Sequence, residues 1–219
     1  MPKSSIKYAT PTSPWERAQE LELAYHLTPL NGDRRRAERA KRRFIAGVMG
    51  LALSPDEGTT SILDVGCGPE SLALSFPWFT GQVTALDPLR FSEEDEARYV
   101  DAGIERVVMP AEKFAPWEST DWRPWDEVWL YNCLQHTQDP LAVIETVKRC
   151  ARRGVRVFEY TNSPTDAMHL HMLSADLLRN AFRGWNPVRE TVGTWKQFGV
   201  TAEFYSALFL HRSEDALAW

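Results

Sequence analysis

Residues 60–70 read Thr-Ser-Ile-Leu-Asp-Val-Gly-Cys-Gly-Pro-Glu, and the rest of the chain is organised around them. Ile62, Leu63 and Val65 form a short apolar run that carries Asp64 and breaks into Gly66-Cys67-Gly68. Glu70-Ser71-Leu72-Ala73-Leu74 follows, a sequence able to open a helix. The order is that of a buried strand, a glycine turn and a helix N-terminus. Glycine lacks Cβ and tolerates positive φ, so such a turn lets backbone approach a ligand closely. Free N–H groups of the following helix offer donors to a carboxylate or phosphate.

A Gly-x-Gly is weak evidence alone, and a second element sharpens it. Val83-Thr84-Ala85-Leu86-Asp87 is another apolar strand ending in an acid, 23 positions after Asp64. In a doubly wound sheet a ligand sits beyond the carboxyl ends of the strands, and an acid after the second strand holds a ribose diol. The dinucleotide fingerprint Gly-x-Gly-x-x-Gly is not met, because position 71 is Ser.

Composition bounds the rest. The 219 residues suffice for one α/β domain plus an N-terminal extension. Apolar residues at 43% and charged residues at 25% are ordinary for a globular chain. A net charge of −5 argues against nucleic-acid binding over the whole surface and leaves a local patch open. Cys67, Cys133 and Cys150 give neither metal spacing nor an even disulfide set, so a reducing, cytoplasmic setting is expected. There is no apolar run of about 18 residues and no secretory core, so neither membrane insertion nor export is expected. Four of the nine tryptophans (Trp117, Trp122, Trp125, Trp129) crowd one stretch, where core or pocket packing is the ordinary use.

Along the chain, residues 1–13 read as a loose arm. Ser13-Pro14-Trp15-Glu16 starts a helix over 14–27, with Trp15, Leu23 and Leu27 on one face, stopped near Thr28-Pro29 and Asn31-Gly32. Asp33 caps a second helix over 34–52, whose first half (Arg34, Arg35, Arg36, Arg39, Lys41, Arg42, Arg43) is basic. That run is either a polyanion contact or, as charge runs commonly are, a solvated face, with Phe44, Ile45, Val48, Met49 and Leu51 docking on the sheet. Residues 54–58 form a loop. Strands at 61–65, 82–87, 105–109, 126–131 and 154–160 then alternate with helices at 70–76, 93–102 and 140–150, as a parallel sheet requires. The segment 110–125, with Pro110, Pro116 and Pro124, is a loop with one short turn. A helix at 175–183 precedes two strands, 186–195 and 200–211. We divide the chain into an arm and helices at 1–53, a candidate lid, and a main domain at 54–219.

At this point the residues resemble a known family. Leu63-Asp64-Val65-Gly66-Cys67-Gly68-Pro69 is similar to motif I of the class I S-adenosylmethionine-dependent methyltransferases, and Ala85-Leu86-Asp87 to their motif II. Pro110-Ala111-Glu112 resembles the turn flanking the adenine, and the stretch Asp126 to His136 resembles strand four with its loop. The resemblance runs in order over roughly residues 60–160. It implies a Rossmann-like, mostly parallel seven-stranded sheet of order 3-2-1-4-5-7-6, closed by an antiparallel hairpin, with helices on both faces. It implies S-adenosyl-L-methionine as cofactor and methyl transfer to an oxygen or nitrogen of a small or medium-sized acceptor. The residues it assigns to the cofactor are Asp64, Gly66, Cys67 and Gly68 at the methionine end, Asp87 at the ribose, and Pro88 over the adenosine. Ala111 and Glu112 fall at the adenine edge, and Asn132 and Cys133 on the sulfur side. Where the family commonly carries glycine this chain has Glu70, whose carboxylate suits a helix N-terminus.

Candidates for catalysis are His136, Glu159, His169 and His171. His136 lies in Leu134-Gln135-His136-Thr137-Gln138-Asp139-Pro140, similar to the family's Leu-x-His-x-x-Asp-Pro stretch, where the His supports the cofactor loop; an imidazole also serves as a general base. Glu159, Tyr160, His169 and His171 are expected around the acceptor pocket. On a strand His169 and His171 share a face, as a metal site wants, with Glu159 and Asp166 near; a His-x-His that binds nothing is the commoner case, and no metal is assigned. Cys133 as a methylated nucleophile needs a depressed pKa, and nothing in the sequence supplies one. The rival readings are a nucleic-acid or modified-base methyltransferase using the 34–43 helix, a non-catalytic S-adenosylmethionine-binding scaffold, and an NAD oxidoreductase. Asn132-Cys133-Leu134-Gln135 stands where a base-methylating Asn/Asp-Pro-Pro-Tyr/Phe is expected, and Gly66-Cys67-Gly68-Pro69-Glu70-Ser71 disfavours NAD. Oligomeric state is not legible.

Overall fold

Short apolar runs separated by helices pair as a parallel sheet. The computed structural model describes residues 13–28, 32–51, 60–75, 81–197 and 200–211. Expectations placed on 1–12, 29–31, 52–59, 76–80 and 198–199 lie outside the described residues, as do those on the side chains of 32–35. The elements are α1 (Pro14–Leu27), α2 (Gly32–Met49), β1 (Ser61–Val65), β2 (Gln82–Asp87), α3 (Glu93–Asp101), β3 (Glu105–Val108), β4 (Trp125–Tyr131), α4 (Pro140–Cys150), β5 (Ala151–Thr161), α5 (Ala175–Ala181), β6 (Asn186–Gln197) and β7 (Val200–Leu210). The sheet order is β3-β2-β1-β4-β5-β7-β6, as expected. β7 runs antiparallel to both β5 and β6. Val65 pairs with Leu86 on one side and Leu130 on the other, which brings the carboxyl ends of β1, β2 and β4 to one edge.

Side-chain alternation sorts the core onto two faces. Leu63, Val65, Val128, Leu130, Val155 and Val157 face α4 and α5, meeting Val143, Ile144, Val147 and Leu178. Ile62, Val83, Ala85, Trp129 and Phe158 face the other way and pack on Ile45, Ala46, Met49 and Leu51 of α2 and its end. Fully burying each such aliphatic stabilises the fold by about 1.5–3 kcal/mol. The apolar second half of α2 therefore closes one face of the sheet.

Three details depart from the sequence reading. The helix expected over 70–76 is a single tight turn, Leu72–Ser75. Ser71 is held there from three sides: its hydroxyl meets Asp64 and accepts from the Ala73 amide, and its own amide donates to Tyr99. The 110–125 loop carries two short turns, Ala111–Lys113 and Pro116–Glu118, rather than one. α2 begins at Gly32, ahead of the expected Asp33 cap, and ends at Met49, before Gly50 at φ +76°. α3 stops where Asp101-Ala102-Gly103 suggested: Gly103 at φ +69° lets its amide reach Val100 and the Ile104 amide reach Tyr99.

α1 buries only Ala18 and has no apolar face. It starts with a capping box between Ser13 and Glu16 and is held by polar contacts. Gln19 Nε2 donates to the His136 carbonyl at 3.1 Å. Glu22 Oε2 lies 2.6 Å from His136 Nδ1, an ion pair poorly aligned for a hydrogen bond, and Oε1 lies 3.3 Å from His26 Nε2. Burial opposes the charge on both partners, yet the pair wins: His136 and His26 hold Glu22 far below the usual carboxylate range, and Glu22 holds His136 above the usual imidazole value. The raised His136 value stabilises the docked helix fully below the unfolded pKa of 6.5, and that contribution fades as pH rises through the folded value. The depressed Glu22 value acts in the other sense, present above 4.5 and lost as pH falls through the folded value. Docking of α1 is thus expected to be firmest between those limits. After correction for intrinsic rates, amide protection over 14–27 should decline above neutrality. Glu22→Gln should lower it about tenfold or more and flatten its pH dependence, with β1 and β4 unaffected; unchanged protection in the variant would show that the pair does not hold α1.

Candidate functional site

The carboxyl edge of β1, β2 and β4 opens into a cleft enclosing about 970 Å³ of empty space, continuous with solvent. α1 roofs it and α2 forms a wall. Its floor is the glycine turn. Gly66 sits at φ +67° and donates to the Leu86 carbonyl at 2.8 Å; a Cβ there would run into the Cys133 side chain. Gly68 sits at φ +63°, and a Cβ built on it would meet nothing within 4 Å, because the space above is the cleft.

Asp87 ties this turn to the end of β2. Its Oδ2 accepts the Gly68 amide at 3.0 Å and its Oδ1 the Leu89 amide at 2.9 Å. Burial pushes its pKa up, and the two amides and the Arg106 guanidinium pull against that rise. Arg106, on β3, braces the floor from below: Nη1 lies 2.7 Å from Cys67 Sγ, Nη2 donates to the Leu89 carbonyl at 3.1 Å, and the guanidinium lies over Phe91 and Tyr99. Two phenols pin the turn. Tyr99 donates to the Gly68 carbonyl at 2.8 Å, and Tyr131 reaches the Cys67 and Glu70 carbonyls at 3.1 and 3.2 Å. Asp64 lies beneath, fully buried, with Oδ2 on Ser71 and Oδ1 without a partner; burial pushes its carboxyl up to about 7.

Gly66, Cys67, Gly68, Asp87, Pro88, Ala111, Glu112, Asn132 and Cys133 all line the cleft, and Asp64 stands under it. Glu112 Oε1 accepts the Gln138 and Asp139 amides at 2.7 and 3.2 Å, joining the turn Ala111–Lys113 to the loop after β4. Asn132 holds φ 51° and donates its amide to the Phe158 carbonyl at 2.7 Å, a strained residue at the cleft wall. Burial, and then the neighbouring Glu159, push the Cys133 thiol well above its ordinary pKa, so it is a neutral wall and no nucleophile.

Of the residues considered for catalysis, only His136 lines the cleft. Glu159 is fully buried, and its Oε1 accepts the Cys133 and Leu134 amides at 3.0 and 3.1 Å, capping the turn Leu134–His136; burial raises its carboxyl to about 7. His169 pairs with Asp166 at 2.8 Å and lays its ring 4.6 Å from that of His136. His171 Nε2 meets the Thr137 carbonyl at 3.0 Å. These two histidines buttress the loop from behind. Among the described residues no three His, Cys, Asp or Glu side chains cluster as a metal site.

Glu70 ion-pairs with Arg42 and lies 3.9 Å from Arg98, so it links α2 and α3 to the glycine turn. The basic run of α2 divides: Arg39 and Arg43 face solvent, while Lys41 and Arg42 turn into the cleft. From α1 come Trp15, Gln19, Glu22 and His26, whereas Tyr25 faces a neighbouring surface cleft. Positions 15, 19, 22 and 26 recur at helical spacing, a signal the face of Trp15, Leu23 and Leu27 did not capture, because three of the four are polar.

A family model described as a methyltransferase domain matches residues 34–202, taking in most of α2 and the sheet up to the start of β7. The chain is 29% identical over 177 residues to the malonyl-[acyl-carrier protein] O-methyltransferase of Pseudescherichia vulneris, covering 74% of this chain and 66% of that protein. It is 26% identical over 163 residues to the ubiquinone biosynthesis O-methyltransferase of Pseudoalteromonas translucida, covering 73% and 61%. It thus spans somewhat less than two thirds of the length of these curated relatives. The magnesium protoporphyrin IX methyltransferase of Synechocystis, solved with bound SAM, superimposes with a TM-score of 0.65 at 11% identity over 92% of this chain and 99% of the other, a likeness of fold. With the family model spanning most of the sequence and the glycine turn, acid and strand order all in place, the chain belongs to the methyltransferase-domain family.

Proposed function

We propose that this protein is an S-adenosylmethionine-dependent methyltransferase that moves a methyl group to an oxygen or nitrogen of a small or medium-sized acceptor. The names of both curated relatives favour oxygen. The observation that carries this reading is the open space over Gly68 beside the Asp87 carboxylate at the floor of the cleft. An ionised carboxylate has about four lone-pair sites, and the Gly68 and Leu89 amides use two, which leaves two for a ribose diol. The residues present fit the cofactor.

S-adenosylmethionine, when bound, supplies a methyl group on a sulfonium sulfur. The chain's own part is binding, orientation and exclusion of water. Gly66 and Gly68 leave room for the amino-acid tail. Asp87 takes the ribose, with Pro88 and Leu89 over the adenosine and Ala111 and Glu112 at the adenine edge. Asn132 and Cys133 bound the side from which an acceptor enters. The Asp87 and Glu112 carboxylates in the cleft lining favour a cationic sulfur. His136, whose pKa Glu22 raises against the effect of burial, supports the loop after β4. α1 acts as the lid. A cytoplasmic location fits the three free, buried thiols, and no described helix is long and apolar enough to cross a membrane.

Calorimetric titration tests the reading: S-adenosylhomocysteine should bind and NAD should not, and tight NAD binding would overturn it. Asp87→Ala should weaken S-adenosylhomocysteine by about tenfold or more, the consequence of stranding buried hydroxyls at about 1–3 kcal/mol. Amide protection over 14–27 should rise when S-adenosylhomocysteine is added; no change would remove the lid role of α1. Binding without transfer to any acceptor would mark a scaffold, and a salt-steep affinity for DNA or RNA would revive the basic face of α2.

A further inference from the structure

α2 delivers to the cleft a cation that the assignments above leave unused. Glu38, Lys41, Arg42 and Ile45 line it at the spacing of one helical face. Arg42 is engaged by Glu70 beside the glycine turn. Lys41 makes no ion pair with any described residue; its contact is the face of Tyr160, whose centroid lies 5.5 Å from Nζ. Lys41 is half-buried in the cleft lining. Burial pushes its pKa below the ordinary lysine value; Glu38 opposes the shift, Arg42 adds to it, and Glu22 and Glu159 oppose it from farther off. Glu38 stands on the lip shared with the neighbouring surface cleft, beyond ion-pair reach.

A second donor is stranded in the same cleft. The indole Nε1 of Trp15, on α1, is buried without a partner among the described residues. Among the described residues no carboxylate of the walls pairs with either donor: Glu22 lies against His26 and His136, Asp87 and Glu112 each hold two amides, and Glu70 holds Arg42. Buried donors are nearly always satisfied, because leaving one unmade costs most of its desolvation. An ammonium and an indole N–H facing one cleft without acceptors are the complement of an oxygen-rich anion.

We propose that the acceptor carries a carboxylate, received by the Lys41 ammonium with the Trp15 indole N–H as second donor. The inference rests on the methyltransferase reading, which puts the cofactor over β1 and β2. Lys41 faces Tyr160 on β5, across β4 from that side, so its anion belongs to the second substrate. Arg42, at the glycine turn, is the cation within reach of the cofactor's own carboxylate.

Benzoate and benzamide, the same ring with and without the charge, are suitable probes in saturation-transfer NMR titrations of the full chain saturated with S-adenosylhomocysteine. Benzoate should bind about tenfold tighter than benzamide. Lys41→Met should erase that preference while leaving S-adenosylhomocysteine affinity unchanged, which also shows that the variant is folded. Lys41→Arg should keep the preference, and Trp15→Phe should reduce it about threefold. Equal binding of the two probes by the wild-type chain would overturn the proposal, as would a Lys41→Met variant that loses S-adenosylhomocysteine instead. If the wild-type chain does not bind S-adenosylhomocysteine, the parent reading falls and takes this one with it; if it does, and benzoate is not preferred, only this one falls.

Discussion

The carboxylate of Asp87 is the contact on which the cleft depends. By accepting the Gly68 amide it couples the turn after β1 to the end of β2, and by accepting the Leu89 amide it shapes the segment leaving that strand. A buried carboxylate is costly unless its oxygens are satisfied. Two backbone amides do this from one side, and Arg106 lends its charge from below, in contact with Cys67 and with the carbonyl of Leu89. Gly66 contributes because its amide hydrogen-bonds to Leu86, and because the Cys133 side chain fills the place of any Cβ. The turn is therefore rigid before any ligand arrives, and the space over Gly68 is left open by construction.

The same economy governs the loop after β4. Glu159 comes from the neighbouring strand, is wholly buried, and turns one oxygen on the amides of Cys133 and Leu134. It does for that loop what Asp87 does for the glycine turn. The other oxygen is unpartnered, and its carboxyl is raised to about 7. Asp64 shows the same pattern under β1. In both cases a buried acid holds backbone or hydroxyl groups in the shape of the cleft floor, and the pKa shift follows from burial. A perturbed carboxyl near a cleft need not be a catalyst.

Roof and wall of the cleft come from the N-terminal helices by different physics. α2 is seated by hydrophobic burial, with Ile45, Ala46, Met49 and Leu51 in the core, and its position is set as firmly as that of a strand. α1 buries almost nothing apolar and is seated by Glu22 and Gln19 on His136, with the His26 ring edge-on to Phe91. Ion pairs and single hydrogen bonds are weaker and more conditional than a packed face. That difference is what makes α1 suited to opening and α2 to staying in place.

The local sequence determined the strands, most helix limits and the floor of the cleft. Alternating apolar runs, capping residues and a glycine turn act through neighbours a few positions away, and Gly66, Gly68 and Asp87 take their roles from the strands they end. Sheet order and the nine lining residues around the cofactor side followed from resemblance to a family with the same motifs. Tertiary structure decided which faces of α1 and α2 look inward, and so that Trp15, Glu22, Lys41 and Arg42 meet one cleft while Arg39 and Arg43 do not. It also decided that Glu159 caps a loop and that His169 and His171 stand behind it. Those outcomes depend on how segments distant in sequence dock, 26 residues apart for Glu159 and Cys133 and 117 for Gln19 and His136, and no local pattern encodes such docking.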